Sequence, residues 1–180
     1  MLKKLSIVFV AFFVIISLYC TQTKVLFSQA ITLSEKKVIY ELPYAGILPD
    51  NPLYTFKEIR DMVTEFLTRD QMKKAESLLL SSDKKIHMAQ ILATKGKSGL
   101  MIKTLIKAEQ QSLRIPSLIK ESKKQGVGPK EGLIYRLKLS NVKHREVVEE
   151  LIKNIPQGQE QAMSDILEIN NQVKKQLDTL

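Results

Sequence analysis

The side chains best suited to acid–base or metal chemistry in this sequence are its two histidines, His87 and His144. Asp83 precedes His87 by four residues, so the two would share one face of a helix and provide either two metal ligands or a surface hydrogen bond. One histidine on each of two helices cannot complete a metal site without further carboxylates. We therefore predict no metal-binding residues.

His144 falls on an apolar stripe with Val148 and Leu151. The ordinary expectation there is a histidine at the edge of the core, satisfied by a neighbour, and the alternative is a pH-sensitive contact. A buried cluster of either histidine with carboxylates would favour an enzyme. The spacing shows no Ser–His–Asp set, paired carboxylates or glycine-rich cofactor loop. We predict that the protein is not an enzyme and has no catalytic and no cofactor-binding residues.

The tripeptide Gly96-Lys97-Ser98 is similar to the end of a phosphate-binding loop. Such a loop needs a glycine five residues earlier and a strand before it, whereas Ile91 occupies that position and no strand is predicted. We interpret the tripeptide as a turn between helices.

Two asparagines, Asn141 and Asn170, occupy stripe positions of predicted helices. If the helices face each other, the two amides could bond across the core and fix the register, as a buried asparagine does in coiled coils. Alternatively, one or both lie at the edge of the bundle.

Pairs of lysines recur along the chain, at 36–37, 73–74, 84–85, 123–124 and 174–175. A solvated polar face is the ordinary explanation. The alternative is a basic surface held near anionic head groups, which requires several lysines to share one side.

The elements that would carry these residues are helices. Apolar residues at three- and four-residue steps predict helices at 53–67, 71–95, 100–124 and 130–154, with a fifth after Pro156. We expect Asp70 to cap the second helix, Asn51 to cap a helix that starts at Pro52, and Pro116 to kink or divide the third.

An aromatic content of 6% without tryptophan argues against a β-sandwich. The predicted fold is therefore all-α, with antiparallel helical hairpins or a bundle of long amphipathic helices at residues 53–180. A Pro-rich extended strap, residues 31–52, precedes it. The heptad-like spacing leaves open a self-associating coiled coil and a homo-oligomer.

Residues 1–30 have the pattern of a secretory signal peptide. Lys3 and Lys4 precede the uncharged segment Leu5–Tyr19, and small residues flank Gln29 at the expected cleavage site. The alternative is a retained N-terminal anchor in the inner membrane, with the remainder outside. Both alternatives predict an exported location, either periplasmic, at the cell surface or secreted.

Removal of the leader would leave a mildly basic chain without cysteine. The formal charge of +9 includes three lysines of the leader, so the remainder carries +6. Cys20 is the only cysteine, which excludes disulfides from the mature chain. The expected acidic partners are lipid head groups or wall polymers, and nucleic acid is not expected.

The stretch "GILPDNPLYTFKEIRD", Gly46–Asp61, resembles the opening signature of a bacterial and archaeal family of extracytoplasmic helical domains of unknown function. Its core here is Leu48-Pro49-Asp50-Asn51-Pro52-Leu53-Tyr54, with Asn51 where serine is usual. The following "LTRDQMKKAESLLL", Leu67–Leu80, is also similar. The resemblance implies an exported, helical and often membrane-anchored protein, and it implies no catalytic residues.

We therefore predict an exported, non-enzymatic helical domain that binds a protein partner or the envelope surface. Its leader provides a second route to membrane association. The alternative is a periplasmic-type helical chaperone or envelope stress sensor, which would need a concave apolar patch for unfolded clients.

Overall fold

We analysed a computed structural model of the chain, which describes residues 38–180. The predicted signal peptide or anchor, its cleavage site, Cys20 and the lysine pair at 36–37 lie outside the described residues. Over residues 38–180 no helix combines the length and the apolar character needed to cross a bilayer.

The described part of the chain contains five α-helices and no strand, which confirms the predicted all-α class. The helices are α1 Tyr54–Leu67, α2 Gln71–Thr94, α3 Ser98–Lys124, α4 Leu133–Ile152 and α5 Glu160–Leu177. The predicted periodic segments all correspond to these helices, with shifts of a few residues at some ends.

Asp70 caps α2, as predicted. Its carboxylate accepts hydrogen bonds from the backbone N–H groups of Met72 at 2.9 Å and Lys73 at 3.1 Å. These N–H groups have no acceptor inside the helix, so without the Asp70 side chain they could form hydrogen bonds only with water.

We expect Asp70→Ala to lower the midpoint of thermal unfolding by roughly 2–4 °C, because the first turn of α2 loses its cap. Circular dichroism of the full chain during heating measures this. Asp165→Ala is the control, since Asp165 is exposed within α5 and accepts only from Gln161. An equal shift in both variants would contradict the capping role.

A glycine turn, and not a phosphate loop, joins α2 to α3. Gly96 has a φ of +67°, in the left-handed region that a side chain disfavours. Its N–H donates to the carbonyl of Ala93, and the N–H of Lys97 donates to that of Leu92. This pattern is a Schellman motif, so the prediction of a turn is confirmed.

The predicted starts of two helices are wrong. Asn51 accepts from the N–H of Leu53 at 2.9 Å and forms a turn, while α1 begins only at Tyr54, so Pro52 lies before the helix. Helix α4 begins at Leu133, because Gly132 has a φ of +77° that a helix cannot contain.

Helix α3 is not divided at Pro116. It continues from Ser98 to Lys124, with the proline buried inside it. Of the two expected alternatives, the division is therefore wrong and the kink stays a prediction. Packing of the surrounding turn against the bundle outweighs the hydrogen bond that proline removes.

Helices α2 to α5 form a four-helix bundle. Around it the neighbours run α2, α3, α5, α4, so that α3 and α4 lie diagonally opposite. One apolar cluster joins the C-terminal half of α2 to the N-terminal half of α3, and a second joins the opposite halves. These clusters show that α2 and α4 run one way and α3 and α5 the other, which confirms the predicted bundle.

The described part of the strap, residues 38–52, contains no helix or strand and lies on the bundle. Ala45 is buried, and it packs with Tyr54 and Met88 in a third apolar cluster. Asp50 forms ion pairs with Lys95 at 3.0 Å and Lys97 at 2.8 Å. The strap therefore fixes the point at which the chain enters α1.

Candidate functional site

A layer of buried polar side chains crosses the bundle between its two apolar clusters. All four helices contribute to it: Asp83 from α2, Glu109 from α3, Ser140, Asn141 and His144 from α4, and Asn170 from α5. Buried polar groups are costly unless hydrogen-bonded, so each must find a partner within the layer.

His144 is at the centre of this layer. Its Nε2 lies 2.9 Å from Oδ1 of Asp83, and its Nδ1 lies 2.9 Å from Oε1 of Glu109. Since both ring nitrogens face carboxylates, both donate a proton and the ring is an imidazolium. His144 is therefore a buried cation between the carboxylates of Asp83 and Glu109.

Burial alone would lower the pKa of His144. The charge of Glu109 and the hydrogen bonds to Asp83 and Glu109 outweigh it and raise the pKa to about 9. Burial likewise acts to raise the pKa of Asp83, but the hydrogen bond and charge of His144 lower it overall. His144 and Asp83 therefore stabilise each other in their charged forms.

Neutral donors complete the layer. The hydroxyls of Tyr40 and Ser140 each donate to Asp83 at 2.6 Å, and the amide of Asn170 donates to Glu109 at 3.3 Å. Tyr40 belongs to the strap, so the strap is tied directly to the centre of the bundle. Burial and the contact with Asp83 raise the pKa of the Tyr40 phenol.

The two stripe asparagines meet, as one of the two alternatives predicted. The side-chain amide of Asn141 donates to the backbone carbonyl of Asn170 at 3.0 Å, and that of Asn170 returns the bond to Asn141 at 3.0 Å. The pairing is thus amide to backbone, and it fixes α4 against α5 in one register.

The Asp83–His87 pair does not form. Asp83 points to His144, while Nδ1 of His87 lies 2.9 Å from the carbonyl oxygen of Pro43. Among residues 38–180 no group of histidine, cysteine and acidic side chains is arranged to hold a metal. The His144 ring also has no lone pair to offer a metal, because both of its nitrogens carry protons.

The chemical capacity of the His144 layer is limited by its burial. The side chains of His144, Asp83 and Glu109 are at most 4% exposed. General acid–base catalysis requires hydrogen-bond reach to a substrate atom, and both ring nitrogens of His144 already contact protein carboxylates. The arrangement stabilises and specifies the bundle.

The second notable feature is the outer face of α1. Its large apolar side chains are exposed: Leu53, Phe56, Ile59, Met62, Val63, Phe66 and Leu67. Phe56 is 71% exposed and Phe66 is 84% exposed. Tyr54 is the buried side chain of this helix.

The polar face of α1 is the one that faces the bundle. Glu58 forms an ion pair with Lys107 of α3 at 2.7 Å, and Glu65 pairs with Arg114 of the same helix. These pairs, with Tyr54, hold α1 over the bundle with its apolar side turned outward. The helix is amphipathic, and the bundle does not bury its apolar face.

A cleft of about 1030 Å³ lies between this polar face and helices α2 and α3. Its wall on α2 includes three lysines of the recurring pairs, Lys74, Lys84 and Lys85. Several paired lysines therefore share one side, as the alternative interpretation of the pairs required.

Comparison with known proteins gives one match. No curated protein and no solved structure matches the chain significantly. A family profile described as "Domain of unknown function (DUF5667)" matches residues 46–176, which includes all five helices but the last residue of α5. The chain therefore belongs to this family of domains of unknown function.

Proposed function

We propose that the protein is an exported, non-enzymatic domain that docks on the anionic membrane surface of the cell envelope through the outer face of α1. One observation carries the proposal: seven large apolar side chains, two of them phenylalanines, are exposed on and beside a single helix face. Contiguous exposed apolar surface on a soluble domain marks an interaction site.

The geometry of α1 suits a bilayer surface. The helix has 14 residues and is therefore about 21 Å long. One side is apolar and the other carries Glu58, Asp61 and Glu65 towards the bundle. An amphipathic helix of this kind lies in the plane of the interface with its apolar side among the acyl chains.

Charge and chain connectivity favour lipid over a protein as the occupant. Arg60 and Arg69 are exposed within and just after α1, and the chain has a positive formal charge. An expected leader or anchor would bring the chain to the membrane. Only the strap separates this segment from α1 in the sequence, so α1 would stay near the membrane surface. Basic residues near an anionic surface contribute about 1 kcal/mol each.

Two further features support this reading over the alternatives. His144 does form a buried cluster with carboxylates, the feature that would favour an enzyme, but Asp83 and Glu109 occupy both of its ring nitrogens and the cluster is enclosed, so we favour a non-enzymatic role. A chaperone would need a concave apolar surface, whereas the cleft is lined mainly by charged and polar side chains and the apolar face is the outer side of a helix.

Hydrogen exchange of the full chain tests the proposal and localises the contact. With vesicles of phosphatidylcholine and phosphatidylglycerol, we expect slower exchange in peptides that cover 54–67 than with phosphatidylcholine alone. Phe56→Ser with Phe66→Ser should raise the lipid concentration for half-maximal protection at least tenfold, since two anchors leave the acyl region.

The matched control replaces two exposed apolar residues elsewhere, Val127→Ser with Tyr135→Ser, and should leave the protection of α1 unchanged. Unchanged exchange of α1 on anionic vesicles would refute the proposal. Protection that appears without lipid, rises with protein concentration and accompanies a doubled mass in light scattering would instead identify a second copy as the occupant.

A further inference from the structure

The cleft beneath α1 differs chemically from the outer face of that helix. Seven cationic side chains line it against three carboxylates, a surplus of four positive charges. Each carboxylate already has a cation: Asp61 pairs with Lys57 and Arg60, while Glu58 and Glu65 pair with α3. Three of the four surplus charges lie on α2, and the fourth lies on α1, where Asp61 has two cationic partners.

The three surplus lysines of α2, Lys74, Lys84 and Lys85, have no carboxylate partner among the described residues. Lys74 and Lys85 are eleven residues apart, three helical turns, and so they share a face. Between them on that face lie Ser77 and Ser81, whose hydroxyls also line the cleft.

Lys85 is the most unusual of these residues. It is only 6% exposed, lines the cleft, and donates to Oγ of Ser81 at 2.9 Å. A buried ammonium normally has a carboxylate or several acceptors, because its desolvation is expensive. A single hydroxyl leaves two of its three N–H donors for another group.

The other charges near Lys85 do not neutralise it. From α1 it faces Lys57, Glu58 and Asp61, and from α3 it faces Lys107. Burial lowers its pKa to about 8, and Lys57 adds to this effect. The ammonium is still mostly protonated at neutral pH, so the cleft holds a buried positive charge that lacks an anion.

We infer that this cleft binds an anion of the phosphate class. Ammonium groups bind phosphate as point charges, and several converging cations match a group with two or more negative charges better than one carboxylate. The Ser81 hydroxyl accepts from Lys85 and can donate its own proton to a phosphate oxygen. The phosphate could come from a lipid head group or from a soluble phosphate ester.

Titration calorimetry of the full chain in zwitterionic detergent with inorganic pyrophosphate tests the site. We expect saturable binding to one site, weakened at least tenfold by Lys85→Met. This variant should fold, because it replaces a costly buried charge with an apolar chain of similar length. Lys103→Met is the matched control, since Lys103 is exposed on α3 and does not line the cleft.

Two arms distinguish the sources of the phosphate. Binding of soluble glycerol phosphate that depends on Lys85 indicates a soluble ester. Protection of residues 77–85 from hydrogen exchange by phosphatidylglycerol vesicles, lost in Lys85→Met, indicates a lipid head group. Absence of pyrophosphate binding, or an equal loss in Lys85→Met and Lys103→Met, would overturn the inference.

The site and the proposed membrane function can fail separately. Phe56→Ser alone changes the outer face of α1 at a residue that does not line the cleft, whereas Phe66 does line it, so this single variant should bind pyrophosphate as the unaltered chain does. A loss of pyrophosphate binding in this variant, with its helical circular dichroism unchanged, would contradict the assignment of the anion to the cleft.

Discussion

Replacing His144 with leucine should lower the free energy of unfolding by about 3 to 5 kcal/mol, as measured by urea denaturation of the full chain. The substitution removes the cation between Asp83 and Glu109 and leaves two buried carboxylates without their main partner. An unpaired buried charge is far more expensive than the loss of one contact. We expect this to be the largest effect of any single substitution considered for the protein.

Two further variants distinguish the loss of the buried positive charge from the change in side-chain volume at His144. His87→Leu removes the other histidine, whose ring bonds one backbone carbonyl at the strap, and should cost only about 1 kcal/mol. Replacing Asp83, Glu109 and His144 together by leucine should give a chain more stable than His144→Leu alone, because no buried charge remains in the layer. A cost below about 1 kcal/mol for His144→Leu would contradict the charge argument.

The helices of the bundle could be predicted because local signals agree with the final packing. Helix α2 begins after the Asp70 cap and ends before the left-handed Gly96, and both signals are visible in the sequence. The start of α4 was missed because Pro129 is a good first residue of a helix. Only the conformation of Gly132 reveals that the turn continues to Leu133.

The direction in which α1 faces could not be predicted. The spacing of its apolar residues is that of a core helix, and periodicity is the same whether the apolar face meets the bundle or something outside the chain. What decides the outcome is the polar face, where Glu58 and Glu65 find cations on α3. Those pairings join residues 49 positions apart.

The candidate sites were partly visible in the sequence. His144 fell on an apolar stripe, and a charged residue in such a position needs a buried partner of opposite charge. Asp83 was assigned to His87 because the two are neighbours on one helix. Its actual partner is 61 residues away, so only the tertiary fold could show it. The same holds for the convergence of Lys74, Lys84 and Lys85 beneath α1.

Stability should fall as the pH rises from about 6 to 8, by about 2 kcal/mol. The pKa of His144 is about 9 in the folded chain and about 6.5 when unfolded, so folding holds a proton that the unfolded chain releases. A raised pKa gives stability that is complete below about 6.5 and is lost as the pH rises through 9. Urea denaturation at intervals between pH 5 and 8 measures this.

Two other buried groups set the limits of that window. The lowered pKa of Asp83 gives stability that is lost only as the pH falls through the pKa that Asp83 has in the folded chain. A loss of stability in acid therefore reports the protonation of Asp83 and not that of His144. Lys85 makes the folded chain more stable as the pH rises above 8. Its pKa of about 8 lies below the pKa of a lysine in the unfolded chain, so the free-energy cost of burying it falls as it loses its proton. The decline between pH 6 and 8 therefore belongs to His144.

The variant with leucine at Asp83, Glu109 and His144 provides the matched comparison, since it lacks the titrating cluster and keeps Lys85. Its stability should change by less than about 0.5 kcal/mol over the same pH range. If it declines as steeply as the unaltered chain, the proton is lost elsewhere and the imidazolium assignment is wrong. If only the unaltered chain declines, the central layer of the bundle holds its charges as described, because a neutral imidazole between these carboxylates would give no such linkage.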